Sequence, residues 1–480
     1  MKLERLKKLL GSQVSVKSSE IKGLAYDSRS VKVGFVFFAL PGASSDGHDY
    51  INDAIDAGAI AIVSERDIDC GLPVFVVLSS KKALALASHH FYHESSNKIK
   101  MVGVTGTNGK TTVTHLIHHV YELLEVKSGL IGTNRYVVPD APKVTNTTPI
   151  SHDLNAMLAS SFDSGIRHVI MEVSSHGIKE NRVDHIDFDA FVFTNLTEDH
   201  LDYHPNFDDY MWTKMRPFIA LAARADAIIN IDDAHGRYFC DVTKAKITTF
   251  GLSIHADFRA INIIQQIDST TFDLFYKNQF VANVETNMFG TYNVYNVLAT
   301  IAYFYTEGYQ PKRLAKLFAQ LPQTSGRFET FKTTTGIYVV VDYAHTPDAI
   351  RHVLKSLSTV APRSVLTVVG AGGDRDASKR AGMGKYALAH STHVVFTSDN
   401  PRSEDPQAII YDMLKGSVKT NYSICIDRER AIEKALKMAK PKDVVILLGK
   451  GHEQTQTIKG ETRAFCDKKV AHYWVEKLGI

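Results

Sequence analysis

Cysteine is scarce in this 480-residue chain. Cys70, Cys240, Cys425 and Cys466 are the only four, and no two stand as C-x-x-C. That argues against a disulfide framework or a cysteine-held zinc site and suits a reducing compartment. An excess of one charge is also missing: 55 Lys+Arg against 52 Asp+Glu leave a net +3. So weak a field does not make nucleic acid or a membrane surface the main partner. No uninterrupted apolar run reaches the ~18 residues that a membrane span requires. The opening segment MKLERLKKLL predicts an amphipathic charged helix without the apolar centre of a secretion signal. Short repeats and low-complexity tracts are absent too. These absences lead to the expectation of a soluble, cytoplasmic protein acting as a monomer on small molecules.

What is present is enough apolar material, 44% of the residues, for several cores, and a chain of this length predicts three domains. Residues 1–97 carry short apolar strands (FVFFAL, AIAIVSE, VFVVL) between helices, and the polar stretch HHFYHESSNK closes them. In residues 98–327 strands alternate with helices (MVGV, HVIMEV, AFVFTN, DAIINI), a pattern that predicts crossovers and a mostly parallel sheet. Period-2 segments between 257 and 286 predict a small antiparallel insertion. After LPQTSGRFE, residues 328–480 form a second α/β series: IYVVVDY, SVLTVVG, HVVFTS and DVVILLGKG. The expected class is α/β throughout. A small α/β domain precedes a phosphate-loop ATPase domain with a mostly parallel sheet, and a Rossmann-like α/β domain follows.

Several stretches carry chemistry. GVTGTNGKTTVTH follows an apolar strand and opens a helix, yet Val104 stands where the strict G-x-x-x-x-G-K-[ST] pattern has its first glycine. Gly106 and Gly109 let backbone N–H groups face an anion at a helix N-terminus. Lys110 supplies charge for phosphate oxygens, and the Thr111 hydroxyl can hold Mg²⁺. Glu172 ends the apolar strand of MEVSSHGI, on the edge where ligands gather in open α/β sheets. A carboxylate there serves a metal or caps the next helix. Asp199 and His200 follow a second strand end, and Tyr210 and Lys214 share one face of the helix after Pro205. An unmodified lysine beside metal ligands would repel a cation. Asn293 and Asn296, three apart in GTYNVYNVLA, suit either an adenine edge or the capping of neighbouring loops. In the last block GAGGDRD, TSDNPRSEDP and LLGKGHE each follow a strand, bringing Arg375, Asn400, Arg402 and Glu453 toward one pocket. Paired guanidinium groups in such a pocket suit carboxylate or phosphate.

Taken in order, TGTNGKTT, NTTP, EVSSH, TNLTEDHLDYH, GTYNVYNVLA, GRFE, VDYAHTPD, GGDRD, DNPR and GKGHE resemble the Mur ligase family over the whole chain. The family's loop departs from the strict phosphate-loop pattern in the same way. DSRSVKVGFVFFALPG and DGHDYI are similar to the uridine-nucleotide domain of the family members that add the third peptide residue. The resemblance implies ATP-dependent amide ligation through an acyl phosphate, joining meso-diaminopimelate to UDP-N-acetylmuramoyl-L-alanyl-D-glutamate in peptidoglycan precursor synthesis. It implies a site for ATP at Gly106, Thr107, Asn108, Gly109, Lys110, Thr111, Thr112, Asn293, Arg327, Asp342 and His345. Mg²⁺ would be held by Thr111, Glu172, His200 and Lys214, the last as a carbamoyl-lysine, and Lys110, Glu172, His200 and Lys214 would be the catalytic set. The UDP-muramoyl dipeptide would meet Ser28, Thr147, Thr148, Ser174 and Arg182. The amino acid would meet Arg375, Asp399, Asn400, Pro401, Arg402, Gly449 and Glu453. The arginine of DNPR is expected to pair with the distal carboxylate of meso-diaminopimelate, a group that lysine lacks.

Two positions depart from the family pattern: Asn181 stands where many members have glycine, and Ala381 where proline is usual after Lys-Arg. An L-lysine-adding member, a folylpoly-γ-glutamate synthetase and an NTP-driven switch that makes no bond are the competing expectations. The synthetase should lack both the uridine-type domain and DNPR.

Overall fold

The structure, a computed structural model, describes every residue except 43, 44, 134, 135, 140–145, 201, 202 and 362. It divides into two compact units, Met1–Phe250 and Gly251–Ile480.

The first unit opens with a four-stranded parallel sheet of Gly23–Ala25, Phe35–Phe38, Ala59–Ser64 and Val74–Val76, adjacent in chain order. Its strands are apolar on both faces because both are covered, as parallel sheets require. Val36, Phe38, Ala61 and Val63 pack on Leu3 and Leu6 of the N-terminal helix and on Ala83 and Leu84. Phe37 and Ile62 pack the other way, on Ile51 and Ala54.

The second sheet of this unit runs Lys246–Gly251, Asp226–Asn230, Ala190–Phe193, Lys100–Thr105, His168–Glu172 and Ser128–Ile131, all parallel, with Tyr136–Val137 antiparallel at the edge. The strand Lys100–Thr105 lies between the other two that matter for the site. Val104 is in register with Glu172, and Thr105 with Phe193. The phosphate-loop candidate, Glu172 and the Thr194–Asn195 loop therefore leave one carboxyl edge side by side.

The second unit contains the antiparallel meander Phe258–Gln266, Ser269–Tyr276 and Gln279–Thr286, the insertion that its period-2 pattern predicts. After helix Thr291–Thr306 comes a six-stranded sheet. Its order is Glu329–Lys332, Tyr338–Asp342, Val444–Leu448, Val365–Val369, His393–Phe396 and Tyr422–Ile424, with only the first strand antiparallel. Asp342 and Val369 are both in register with Leu448, and Val369 also with Phe396. The loops VDYAHTP, GKGHE, GAGGDRD and DNPR thus depart from four neighbouring strand ends. Beneath them Arg428 and Asp467 form a fully buried pair at 2.8 and 2.7 Å, and Arg428 Nη2 also donates to Leu448 O at 2.9 Å. Good geometry on both partners is what makes buried charge tolerable. A hairpin of Thr455–Ile458 and Glu461–Ala464 lies beyond GKGHE.

Candidate active site

The strand Lys100–Thr105 ends on Gly106, whose φ of 151° suits glycine, and an added Cβ would fall 1.9 Å from Thr194 Oγ1. The loop is held from beneath by the neighbouring strand end. Thr107 N donates to Asn195 O and Asn108 N to Asn195 Oδ1, each at 2.9 Å, and Thr194 Oγ1 donates to Asn108 O at 2.6 Å. Gly109, at φ 88°, turns the chain into helix Lys110–Leu123. The Thr107 hydroxyl meets Tyr210 Oη at 3.0 Å, and Thr112 is buried in the first helical turn. Lys110 Nζ reaches back to Gly106 O at 2.8 Å and Thr107 O at 2.9 Å. It lies across the loop, where a phosphate lysine is needed.

Glu172 is 1% exposed, and its carboxylate accepts from Thr111 Oγ1 at 3.0 Å, Thr133 N at 2.8 Å and Thr133 Oγ1 at 3.1 Å. Among the described residues no lysine or arginine pairs with it. A buried carboxylate held only by neutral donors suits a cation, and carboxylate plus hydroxyl oxygen is the donor set that Mg²⁺ prefers. Thr111 and Glu172 are thus brought together as expected.

His200 and Lys214 lie on the other flank of the loop and make no hydrogen bond to Glu172 among the described residues. Lys214 is buried, donates to Gly106 O at 3.0 Å and sits 4.8 Å from the Tyr210 ring centroid. Burial, with Lys110 adding repulsion, holds its amine well below the usual lysine range. At neutral pH that favours the uncharged, nucleophilic form. His200 has φ 55° and its ring lies 4.7 Å from that of His176. Its pKa is pushed down to about 4, chiefly by burial, against the opposing pull of Asp199 and with help from His176, Lys110 and Lys214. His200 is therefore neutral at physiological pH, with a lone pair to offer.

The expected dipeptide residues form a group behind Glu172. Thr148 Oγ1 donates to Glu172 O at 3.0 Å and meets Ser174 Oγ at 3.1 Å, and Arg182 Nη1 donates to Thr148 O at 2.9 Å. Thr147 joins through Thr133 Oγ1 at 3.1 Å. Ser174 also caps the helix Ser175–Lys179 by accepting from Gly177 N. Asn181, at the departure from the family's glycine, has φ 57°. Asparagine tolerates this left-handed backbone better than most residues, so the turn that aims Arg182 is kept. Ser28 is set apart, on the short turn Ser28–Ser30, with no hydrogen bond to this group among the described residues. Sequence reasoning passed over Tyr26, which bonds Asp153 at 2.7 Å, and Glu180, which accepts from Tyr203 Oη at 2.6 Å and pairs with Lys81.

In the second unit Asn293 and Asn296 are both buried. Asn296 Nδ2 donates to Asn293 Oδ1 at 2.9 Å and Asn293 Nδ2 to Phe289 O at 2.8 Å. Asn293 thus caps the turn before its helix, and Asn296 holds Asn293 in place. Asp342 accepts from Phe328 N at 2.6 Å and Ala344 N at 2.8 Å. Burial raises its pKa against the pull of Arg327. The Arg327 guanidinium lies 4.8 Å over the Tyr343 ring, with His345 and His452 rings 4.5 and 4.9 Å from it.

The residues expected to meet the amino acid lie on neighbouring loops of the second unit. Arg402, at φ 53°, donates through Nη1 to Gly373 O at 2.7 Å. Its backbone is pinned by Thr457 O at 3.1 Å and Lys459 N at 2.6 Å. A Cβ added to Gly372 would lie 3.2 Å from Arg402 Nη1 and 3.6 Å from Arg375 Cγ, so both arginines border that glycine. Pro401 is buried beside Gly373, where a Cβ would strike Pro401 O at 2.0 Å. Gly449 has φ 110°, and a Cβ there would sit 2.6 Å from Asp399 Oδ2. Asn400 Nδ2 donates to Glu453 Oε2 at 2.8 Å. Ala381 lies inside helix Ser378–His390, whose Arg380 bonds Glu404 at 2.7 and 2.8 Å, Asp412 at 2.9 Å and Gly372 O at 3.1 Å. That network holds the glycine loop without the proline.

Comparison with known proteins covers almost the whole chain. Residues 20–92 match the description "Mur ligase family, catalytic domain", 104–304 "Mur ligase middle domain" and 326–451 "Mur ligase, glutamate ligase domain". The UDP-N-acetylmuramoyl-L-alanyl-D-glutamate–2,6-diaminopimelate ligase of Halalkalibacterium halodurans is 40% identical over 462 residues, 95% of each chain. The enzyme of that name from Lactiplantibacillus plantarum is 41% identical over 460 residues, 94% of this chain and 93% of the other. A solved structure of a ligase of the same name superposes with a TM-score of 0.72 at 29% identity, covering 99% of both chains.

Proposed function

The chain belongs to the Mur ligase family, and on that premise we propose that it is the ATP-dependent ligase adding meso-diaminopimelate to UDP-N-acetylmuramoyl-L-alanyl-D-glutamate. The observation that carries this reading is near-full-length similarity to diaminopimelate ligases, and the DNPR loop, where Asn400 bonds Glu453 and Arg402 bonds Gly373 O, supports it. The place of the reaction is the cytoplasm, where peptidoglycan precursors are assembled, and the working form is the monomer. We divide the chain functionally into 1–97 for the uridine nucleotide, 98–327 for ATP and 328–480 for the amino acid.

Lys110 and the N–H groups of the Gly106–Thr112 loop bind and orient the ATP phosphates, work that is mostly positioning and charge neutralisation. Thr111, Glu172, His200 and Lys214 as its carbamate would hold Mg²⁺, and the ion, when bound, neutralises phosphoryl charge. The low proton affinity of the Lys214 amine supports carbamate formation, because only the neutral amine adds CO₂. Asn293, Arg327, Asp342 and His345, which the family resemblance assigns to ATP, serve nucleotide binding from the second unit. Ser28, Thr147, Thr148, Ser174 and Arg182 orient the dipeptide so that its terminal carboxylate accepts the γ-phosphoryl group. The amine of diaminopimelate then attacks the acyl phosphate, and inorganic phosphate leaves. Arg402 takes the distal carboxylate, as a guanidinium fork does, with Arg375, Asp399, Asn400, Pro401, Gly449 and Glu453 around the rest of the amino acid.

Phosphate release from ATP is expected to require both the UDP-muramoyl dipeptide and the amino acid. Release with neither present would instead point to an NTP-driven switch. Release with a folate and glutamate, but not with these substrates, would point to a folylpoly-γ-glutamate synthetase.

A further inference from the structure

The turn that carries His200 is gripped by two neighbouring residues, Lys179 and Glu180. His200 itself stands at φ 55°, a left-handed backbone that a residue other than glycine keeps only where its surroundings over-determine it. Its carbonyl accepts from Tyr203 N at 3.0 Å and His204 N at 2.9 Å, which closes the turn. Both side chains at the far end of the turn are then anchored. Tyr203 Oη donates to Glu180 Oε1 at 2.6 Å, while Glu180 Oε2 takes Lys81 from the helix Ser80–Phe91 of the N-terminal domain. His204, whose side chain is wholly buried, meets Asp209 Oδ2 through Nδ1 at 2.6 Å, and Lys179 Nζ donates to that same oxygen at 2.7 Å. The Tyr203 ring stacks on His176 with centroids 4.0 Å apart, and His176 meets His200 edge to face at 4.7 Å. Glu180, Tyr203, His176 and His200 thus form one line of direct contacts. Burial pulls the Glu180 pKa up, but the hydrogen bonds from Lys81 and Tyr203 hold it below the usual carboxylate range.

We propose that Glu180 is a positioning residue for His200: through the Tyr203 hydroxyl it fixes the ring stack on which His200 rests, and so sets the affinity of the site for a divalent cation. Lys81 balances the carboxylate through Oε2 and leaves Oε1 to the tyrosine. Without that hydrogen bond the Tyr203 ring is free to slide, His176 follows, and His200 meets the ion from a wider spread of orientations. Groups that orient a metal ligand from behind are worth about 10–100-fold in metal affinity. The fold itself should survive the loss, because His204 and Asp209 still anchor the end of the turn. This inference rests on the assignment of His200 to the metal made above.

Mn²⁺ is the probe, since its binding to the protein alone can be followed by electron paramagnetic resonance without turnover. Tyr203→Phe keeps the ring and loses only the hydroxyl, and Glu180→Met keeps the bulk and loses the acceptor. Each should weaken Mn²⁺ binding by about tenfold, and the double variant should be no weaker than the worse single one, because both cut the same link. In turnover the Mg²⁺ concentration for half-maximal rate should rise by a similar factor, with KM for the amino acid unchanged. His200→Ala is the reference. If it loses Mn²⁺ while Tyr203→Phe and Glu180→Met bind as the wild type does, Glu180 merely supports the fold and the proposal is overturned. If Glu180→Met does not fold, Tyr203→Phe decides in the same way. A His200→Ala protein that binds Mn²⁺ as well as the wild type, or a wild type that binds none, would overturn the metal assignment and this inference with it.

Discussion

Lys214→Ala is expected to lower kcat by about 10³-fold, in the range of losing a preorganised electrostatic group, while the protein still folds and binds ATP. The expectation follows from where the amine sits. Lys214 is wholly buried beneath the phosphate loop, 3.0 Å from Gly106 O, with Lys110 close enough to repel a second ammonium. A charged lysine in that place would oppose both phosphate-loop lysine and metal. Burial and Lys110 depress its pKa, which eases that conflict by favouring the uncharged amine. Addition of CO₂ then converts the amine to an anionic oxygen donor, adding to the buried carboxylate of Glu172. Alanine supplies neither charge nor oxygen. Steady-state phosphate release with all three substrates, beside ATP binding measured on the same sample, checks it. A kcat within about threefold of wild type would remove Lys214 from the catalytic set.

Arg402→Ala is expected to reduce kcat/KM for diaminopimelate by about 10²-fold or more, since truncating one partner of a buried charge pair costs roughly 2–5 kcal/mol. The loss should lie mainly in the KM for diaminopimelate. Arg402 is built into its place: a left-handed φ of 53°, two backbone bonds to the hairpin and an Nη1 bond to Gly373 O. So constrained, the guanidinium has lost its freedom before the ligand arrives, and the bidentate geometry is available at little further cost. Lysine brings no distal carboxylate and would leave the fork unpaired in the wild type. Kinetics with each amino acid, in wild type and variant, provide the check. Equal losses for diaminopimelate and lysine would show that Arg402 supports the loop instead of reading the carboxylate.

The strands were legible because each is a run of apolar, often β-branched residues between polar turns, and their strand-end loops carried the motifs. The hairpin Thr455–Ile458/Glu461–Ala464 was not, since TQTI and ETRA carry little apolar signal and the second strand is exposed. Arg428 and Lys450 gave no sign of burial, because a single charged residue in a helix or loop reads as solvated until its partner is in place. Asn195 was visible as a strand end, but its use as a floor for the phosphate loop depends on register with the neighbouring strand. Backbone strain was equally hidden: the positive φ of His200, Asp374 and Arg402 belongs to residue types for which the sequence does not announce it. Asn181 is the instructive case, where an apparent departure from the family pattern keeps the backbone shape by another residue.

The most direct measurement is the mass of the product formed by the wild-type protein from ATP, UDP-N-acetylmuramoyl-L-alanyl-D-glutamate and an equimolar mixture of meso-diaminopimelate and L-lysine. The UDP-muramoyl tripeptide ending in diaminopimelate should account for nearly all of it. A product ending in lysine would contradict the specificity assigned to Arg402, and no tripeptide at all would contradict the ligase itself.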